Sequence, residues 1–271
     1  MSATENTIDI LLLGSGGREH ALAAKLAESP RCGTLYIAPG NGGTLELGEN
    51  VALDAEDPSA VADFARETGC GLVVIGPEAP LVKGVADAVR EAGIPCFGPG
   101  AAGAQLEGSK RFSKELMARA GIPTAAYGSF TDEESALAYV REQGAPVVVK
   151  ADGLAAGKGV VVALTLDEAL QAVHECFDGA FGAAGSTVVI EEMLTGPECT
   201  LLAFTDGKTV RPMATSQDHK RALEGDLGPN TGGMGVYSPV PIVTDEEHAE
   251  MCRILDAVSY THLTLPTNSR V

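Results

Sequence analysis

The sequence predicts an α/β fold, with an open parallel sheet in its first hundred residues and a differently patterned α/β portion behind it. Three features predict it. Apolar runs of strand length alternate with helical patterns from Ile8 to Phe97, the signature of a parallel sheet with helices on both faces. The ends of the strand-like runs are rich in glycine. Beyond Gly121-Ile122-Pro123, helix-capping signals and β-rich runs begin a new pattern.

The first strand is the apolar run Ile8–Leu13, followed by Gly14-Ser15-Gly16-Gly17 and a helical pattern from Arg18 to Ala27. Further strands are predicted at Thr34–Ala38, Asn50–Leu53, Gly71–Ile75 and Ile94–Phe97. Asp57-Pro58 reads as an N-cap with Pro at the first helical position, and Leu81–Glu91 as another helix. Ligands of such sheets bind outside the carboxyl ends of the strands. Gly14–Gly17, Pro39–Gly43, Gly76-Pro77-Glu78 and Gly98-Pro99-Gly100 fall there together, which favours a ligand over four unrelated turns. Gly14-x-Gly16 invites a dinucleotide reading, but the third glycine position is Glu19 and the second strand ends in Ala38-Pro39 rather than an acid. Backbone N–H groups after Gly14 would instead cradle one phosphate at a helix N-terminus, which suits a phosphorylated sugar better than NAD.

In the second portion, Leu106–Lys110 precedes a helix to Ala120, and Thr131-x-x-Glu134 and Thr165-x-x-Glu168 read as capping boxes. Between them, strands Pro146–Lys150 and Val160–Leu164 flank Ala151–Gly159, a Gly/Ala loop carrying Lys158. Small residues let such a backbone lie against a polyphosphate that Lys150 and Lys158 would neutralise. A long hairpin with solvated lysines is the plain alternative, and no Walker A spacing is present. The strand Thr187–Leu194 carries Glu191 and Glu192 before Glu198, a pattern open to an ordinary strand end or to an adenine-reading hinge. Cys199–Thr205 and Lys208–Ala214 flank Asp206-Gly207, read as a two-residue hairpin turn.

Composition narrows the function classes. A net charge of −18 argues against nucleic acid as a partner, although local basic residues still suit a small anion. No apolar run is long enough to span a membrane, no signal peptide is visible in MSATENT, and the six scattered cysteines contain no C-x-x-C pair. Reduced thiols in a cytoplasmic protein without nucleic-acid or membrane partners are expected.

The order of these pieces resembles the ATP-grasp superfamily and, within it, the phosphoribosylamine–glycine ligase (glycinamide ribonucleotide synthetase) family, from about Ile8 to about Ala257. The resemblance is carried by Gly14–His20, Gly76–Leu81, Leu106–Lys110, Lys150–Gly159, Ala214–Arg221 and Gly228–Gly235. It implies an N-terminal open-sheet (pre-ATP-grasp) domain at 1–105 that binds phosphoribosylamine, and a linker helix at 106–126. It further implies a small ATP-grasp subdomain at 127–195 and an incomplete large one at 196–257. By this resemblance Lys110 and Lys150 contact ATP phosphates, under a loop including Gly153, Gly157, Lys158 and Gly159. Glu191, Glu192 and Leu194 serve adenine and Glu198 the ribose. Lys150, Asp218, Lys220 and Arg221 are the catalytic candidates. Asn230, Thr231, Gly232 and Gly233 face glycine, while Gly14, Gly16, Gly17, Arg18, Pro77 and Glu78 hold 5-phosphoribosylamine. The implied reaction joins glycine to that amine through a glycyl phosphate, using ATP with Mg2+ or Mn2+.

The family's metal ligands, a Glu-x-Asn strand and Arg-Phe-Gly-Asp-Pro-Glu, do not occur in the sequence, so no metal site is expected within this chain. The helix pattern Thr244–Ala257 gives way to VSYTHLTLPTNSRV, and Val258–Val271 resembles a translated sequencing adapter rather than a natural continuation. On that reading the chain by itself turns over no substrate. Three alternatives remain: another ATP-grasp carboxylate–amine ligase using formate or bicarbonate, a non-catalytic nucleotide-binding fragment, and a weakly supported NAD-dependent oxidoreductase. The Gln217–Arg221 and Asn230–Gly235 segments favour the glycine enzyme over the first.

Overall fold

The computed structural model describes residues 7–153, 159–225, 227–231 and 233–263. The chain divides into two compact units, Met1–Gly108 and Ser109–Val271.

In the first unit, β1 (Ile8–Gly14), α1 (Gly17–Ala27), β2 (Cys32–Pro39), β3 (Glu49–Asn50), α2 (Pro58–Glu67) and β4 (Leu72–Ile75) are followed by α3 (Glu78–Val82), α4 (Val85–Glu91), β5 (Cys96–Phe97) and α5 (Ala101–Gly108). The strands form one parallel sheet in the order β3-β2-β1-β4-β5. From Ile10 to Leu13, β1 reads as an unbroken apolar run because both its faces are covered there. Leu11 and Leu13 pack with Val61 and Ala65 of α2 and Val85, Ala86 and Val89 of α4. Ile10 and Leu12 pack with Ala23 of α1, beside Leu22 and Leu26. Asp57 caps α2 as the sequence predicts, accepting from the N–H groups of Ser59 and Ala60.

Three expectations in this unit fail, the first being the strand read over Ile94–Phe97, which is only Cys96–Phe97. The helix read over Leu81–Glu91 is two helices, broken at Gly84, whose φ of 84° is one that residues with a Cβ rarely adopt. The strand read over Asn50–Leu53 is only Glu49–Asn50, in register with Tyr36 and Ile37 of β2, and a last bond from the Val51 N–H to Ile37 O ends the pairing.

The second unit opens with α6 (Lys110–Ala120), β6 (Tyr127–Phe130), α7 (Glu133–Gln143), β7 (Val147–Ala151), β8 (Val160–Ala163), α8 (Leu166–Phe177) and β9 (Val188–Glu192). The strands form an antiparallel sheet in the order β6-β9-β7-β8. Alternation sorts its faces. Val147, Val149, Ala151, Val188 and Ile190 point to one side and pack under Ala136 and Val140 of α7 and Ala169, Ala172, Val173 and Cys176 of α8. Val148, Lys150, Val189 and Glu191 therefore share the opposite face.

Thr165 and Glu168 form the expected capping box on α8. The α7 cap lies one residue later than expected. Asp132, not Thr131, is the N-cap and accepts from the N–H of Ser135, so the capped donor moves on by one residue as well.

Short antiparallel pairs follow: β10 (Ala203–Thr205) with β11 (Val210–Pro212), β12 (Gln217–Asp218) with β15 (Val236–Tyr237), and β13 (Arg221–Leu223) with β14 (Leu227–Asn230). The expected two-residue turn at Asp206-Gly207 is a longer loop, 206–209. Asp206 Oδ1 accepts from the N–H groups of Lys208 and Thr209 and so holds that loop itself. The last helix, α9 (Asp245–Leu263), runs past the expected end at Ala257. Residues 264–271 lie outside the described residues. No helix among the described residues is long and apolar enough to cross a membrane. All six cysteines are free, and burial pushes the Cys96 and Cys176 thiols up to about 11.

One packing detail decides what the glycines at the parallel sheet's edge are for. A Cβ added at Gly14 or Gly76 would run into the buried Glu19 side chain, and one at Gly16 would sit 2.9 Å from Glu19 Oε2. Gly76→Ala should therefore destabilise the protein by about 1–3 kcal/mol. The loss should shrink when Glu19→Ala makes room, a coupling that a denaturant-melt double-mutant cycle reads directly.

Candidate functional site

The residues singled out above fall into one group at a sheet edge of the first unit and several groups in the second. In the first, Gly16 caps α1, and Glu19 reaches back so that its Oε2 accepts from the Gly16 N–H at 2.8 Å. Arg18 Nε donates to Glu19 Oε1 at 2.7 Å, and Arg18 Nη1 donates to Glu78 Oε1 at 2.8 Å. Pro77 is the N-cap of α3, so Glu78 begins a helix at the carboxyl end of β4. Gly14, Gly16, Gly17, Arg18, Pro77 and Glu78 thus gather at one sheet edge.

Of the backbone N–H groups expected to cradle a phosphate after Gly14, that of Gly16 is already engaged within the protein. Glu19 takes the Gly16 N–H and supplies the negative charge that a helix N-terminus favours. The residue that breaks the dinucleotide fingerprint is the one that fills the fingerprint's space. Gly17, with no heavy atom within 4 Å of a built Cβ, faces open space.

In the second unit, sheet register builds the core of the cluster. Glu191 on β9 lies opposite Val148 on β7 and opposite Tyr127 on β6, while Lys150 lies opposite Val189. Lys150 and Glu191 are therefore diagonal neighbours on the face away from α7 and α8, within reach for long side chains. Lys150 Nζ sits 2.9 Å from Glu191 Oε2. Lys114, one turn beyond Lys110 on α6, places its Nζ 3.0 Å from the same oxygen. The Lys114 and Glu191 side chains are 9% and 7% exposed and that of Lys150 is 25%, so the charge left accessible belongs to Lys150. Lys114 also donates to Thr124 Oγ1 at 2.7 Å and to Ala125 O at 3.3 Å, and lies 5.6 Å from the centre of the Tyr127 ring.

Lys110 Nζ donates to Gly153 O at 3.0 Å. Beside it Asp152, at the end of β7, accepts from Ser109 Oγ at 3.0 Å and from the Arg111 N–H at 2.9 Å. Ser109 in turn caps α6. The start of the Gly/Ala loop is thereby tied to the N-terminus of α6, where a carboxylate is favoured. Gly159 O accepts from the Ala151 N–H at the loop's other end. Gly157 and Lys158 lie outside the described residues.

Past β9, Glu192 Oε1 accepts from the Ala126 N–H at 2.9 Å, and Leu194 is exposed. Glu198 pairs with Lys220, which also lies 3.3 Å from Asp218; the Glu198 carboxylate raises the Lys220 ammonium above its usual range. Thr231 donates its N–H and hydroxyl to Lys220 O and accepts the Gly233 N–H on its Oγ1. Arg221 pairs with Asn230 across β13 and β14. Glu198, Asp218, Lys220, Arg221, Asn230, Thr231 and Gly233 are thus connected through bonds; Gly232 lies outside the described residues.

Lys114 and Asp152 were missed. The signal for Lys114 was its i+4 spacing from Lys110, which puts both on one helix face. For Asp152 it was an acid at the mouth of a loop read only for its lysines.

The sequence matches the phosphoribosylglycinamide synthetase N domain over residues 8–107 and the ATP-grasp (A) domain of the same synthetase over residues 108–260. The chain belongs to the phosphoribosylglycinamide synthetase family. It is 61% identical over 237 residues to the phosphoribosylamine–glycine ligase of Rhizobium meliloti, covering 88% of this chain and 56% of that protein. To the ligase of Vibrio parahaemolyticus it is 60% identical over 254 residues, covering 93% and 58%. The chain therefore spans less than two thirds of the length of these relatives. Among solved structures, the Thermotoga maritima phosphoribosylamine–glycine ligase superposes with a TM-score of 0.79 at 30% identity, covering 94% of this chain and 61% of that one. A biotin carboxylase domain from Hydrogenobacter thermophilus, at 18% identity and a TM-score of 0.74, shares the fold. The family membership bears out the resemblance and the ATP-grasp fold class; the alternative ligases and the oxidoreductase are not favoured.

The Arg18–Glu78 pair yields a pH prediction. The hydrogen bond from Arg18 holds the Glu78 carboxyl below its ordinary 4.5. Its contribution to stability is therefore complete above 4.5 and is lost as the pH falls through the lower folded value. Arg18→Met should return Glu78 toward 4.5 in an NMR titration; an unchanged midpoint would contradict the pairing.

Proposed function

We propose that this chain supplies the nucleotide-binding and acceptor-facing residues of an ATP-dependent phosphoribosylamine–glycine ligase of purine biosynthesis. The observation that supports the reading most strongly is the Lys150–Glu191 arrangement on the sheet face left free by α7 and α8, in a chain so similar to the named ligases. ATP would lie along that face. Its phosphates would meet Lys110 and Lys150, and its adenine edge the backbone of Glu191–Leu194, with Glu198 near the ribose. Lys220, Arg221 and Thr231 would position glycine. The Arg18–Glu78 edge would hold 5-phosphoribosylamine.

The chemistry follows from charge. The glycine carboxylate attacks the γ-phosphorus and ADP leaves, giving glycyl phosphate. The sugar amine then attacks the acyl carbon, phosphate leaves and the amine gives up a proton, yielding glycinamide ribonucleotide. Such transfers depend on alignment and on neutralising negative charge rather than on a protein nucleophile. Phosphoryl transfer from ATP ordinarily uses Mg2+ held by carboxylates and phosphates. Among the described residues no group of three or more His, Cys, Asp or Glu side chains could hold a metal. No step here runs through a metal.

The test is ADP release by a chimera in which the remaining length of the R. meliloti relative follows residue 257. Release should require both glycine and 5-phosphoribosylamine, with neither formate nor bicarbonate replacing glycine. Lys150→Met in the chimera should lower kcat/KM on the order of 10²-fold or more. ADP release indifferent to glycine would overturn the assignment.

A further inference from the structure

We infer that Lys114 is a positioning residue for the nucleotide: it engages the Glu191 carboxylate so that the ammonium of Lys150 keeps a surplus of positive charge for phosphate. The inference rests on the nucleotide reading proposed above and deepens it.

Lys114 and Lys150 approach the same oxygen, Glu191 Oε2, at 3.0 and 2.9 Å. Two ammonium groups against one carboxylate leave one positive charge over. An ammonium has three donors, and Lys114 directs its donors to Glu191, Thr124 and Ala125 while its side chain is almost wholly buried. It therefore has no donor to spare for a ligand. Lys150 is the more exposed of the two, and among the described residues its one partner is Glu191. The surplus charge is thus displayed through Lys150, although it is Lys114 that creates it. Without Lys114, Glu191 would neutralise Lys150 alone and the cluster would present no net charge to a phosphate.

A purely structural lysine would predict something else. Its loss would loosen α6 against β6 and β9 and weaken every nucleotide alike. A charge-setting lysine makes the loss grow with the number of phosphates, since attraction scales with ligand charge in a partly desolvated site.

Calorimetric titration of the full chain with ATP, ADP and AMP, at fixed ionic strength and without divalent metal, reads this out. Lys114→Met should bind ATP about tenfold more weakly, with a smaller loss for ADP and the smallest for AMP. Lys114→Met combined with Glu191→Gln restores the single positive charge and should recover most of the ATP affinity. Glu191→Gln alone raises the surplus and should bind ATP more tightly than the unaltered chain. That variant keeps the inference testable if Lys114→Met does not melt cooperatively. If Lys114→Met binds ATP like the unaltered chain, or loses ATP and AMP affinity equally, the positioning role is overturned while the nucleotide site stands. If the unaltered chain binds none of the three nucleotides, the nucleotide reading fails and the inference with it.

Discussion

Burying the Glu191 carboxylate is tolerable only because two ammonium groups share one of its oxygens, and much of the second unit is arranged around that contact. An unpaired charge in such a place would be strongly unfavourable, and removing one partner of a buried pair typically costs about 3–5 kcal/mol. The pairing fixes three elements at once. β9 must present Glu191 on the face away from α7 and α8, β7 must bring Lys150 to the diagonal position, and α6 must lie where Lys114 can reach. Lys110 then falls one turn back, at the start of the Gly/Ala loop, where Ser109 and Arg111 hold Asp152.

The first unit solves a similar problem with different groups. Glu19 is buried at the edge of the parallel sheet, where it accepts one backbone N–H and one guanidinium hydrogen. Arg18 spans from that carboxylate to Glu78, so the end of β1 and the end of β4 are tied through a single side chain. In both units a buried acid orients a basic side chain that retains exposure. On the proposed function, those basic side chains are the ones that meet anionic substrates.

Much of this was legible in the sequence because the signals were local. The alternating pattern up to Phe97 specified the parallel sheet, Asp57-Pro58 the start of α2, and Thr165-x-x-Glu168 the cap of α8. Less local features were not legible. Glu19 read as a departure from a fingerprint, since nothing in a one-dimensional pattern shows a side chain folding back over Gly14 and Gly76. Lys114 carries no local signal of its own, since its partners Tyr127 and Glu191 come from strands distant in the sequence. Gly84 breaks a helix that hydrophobic spacing alone would continue, and the Asp206 side chain lengthens a turn that the Asp-Gly pair alone would shorten. For Glu19 and Lys114 a tertiary contact, for Asp206 a side chain bonding its own backbone, and for Gly84 a left-handed backbone conformation overrode the pattern.

On the inference drawn above, a buried carboxylate shared by two lysines sets the charge of the nucleotide site. A crystal structure of this chain with ATP bound tests it most directly. Phosphate oxygens are expected within hydrogen-bond distance of Lys150 Nζ, adenine against the backbone of Glu191–Leu194, and Glu191 Oε2 still held by Lys114. ATP seated elsewhere, or Glu191 swung away from Lys114 to meet the ligand, would contradict it.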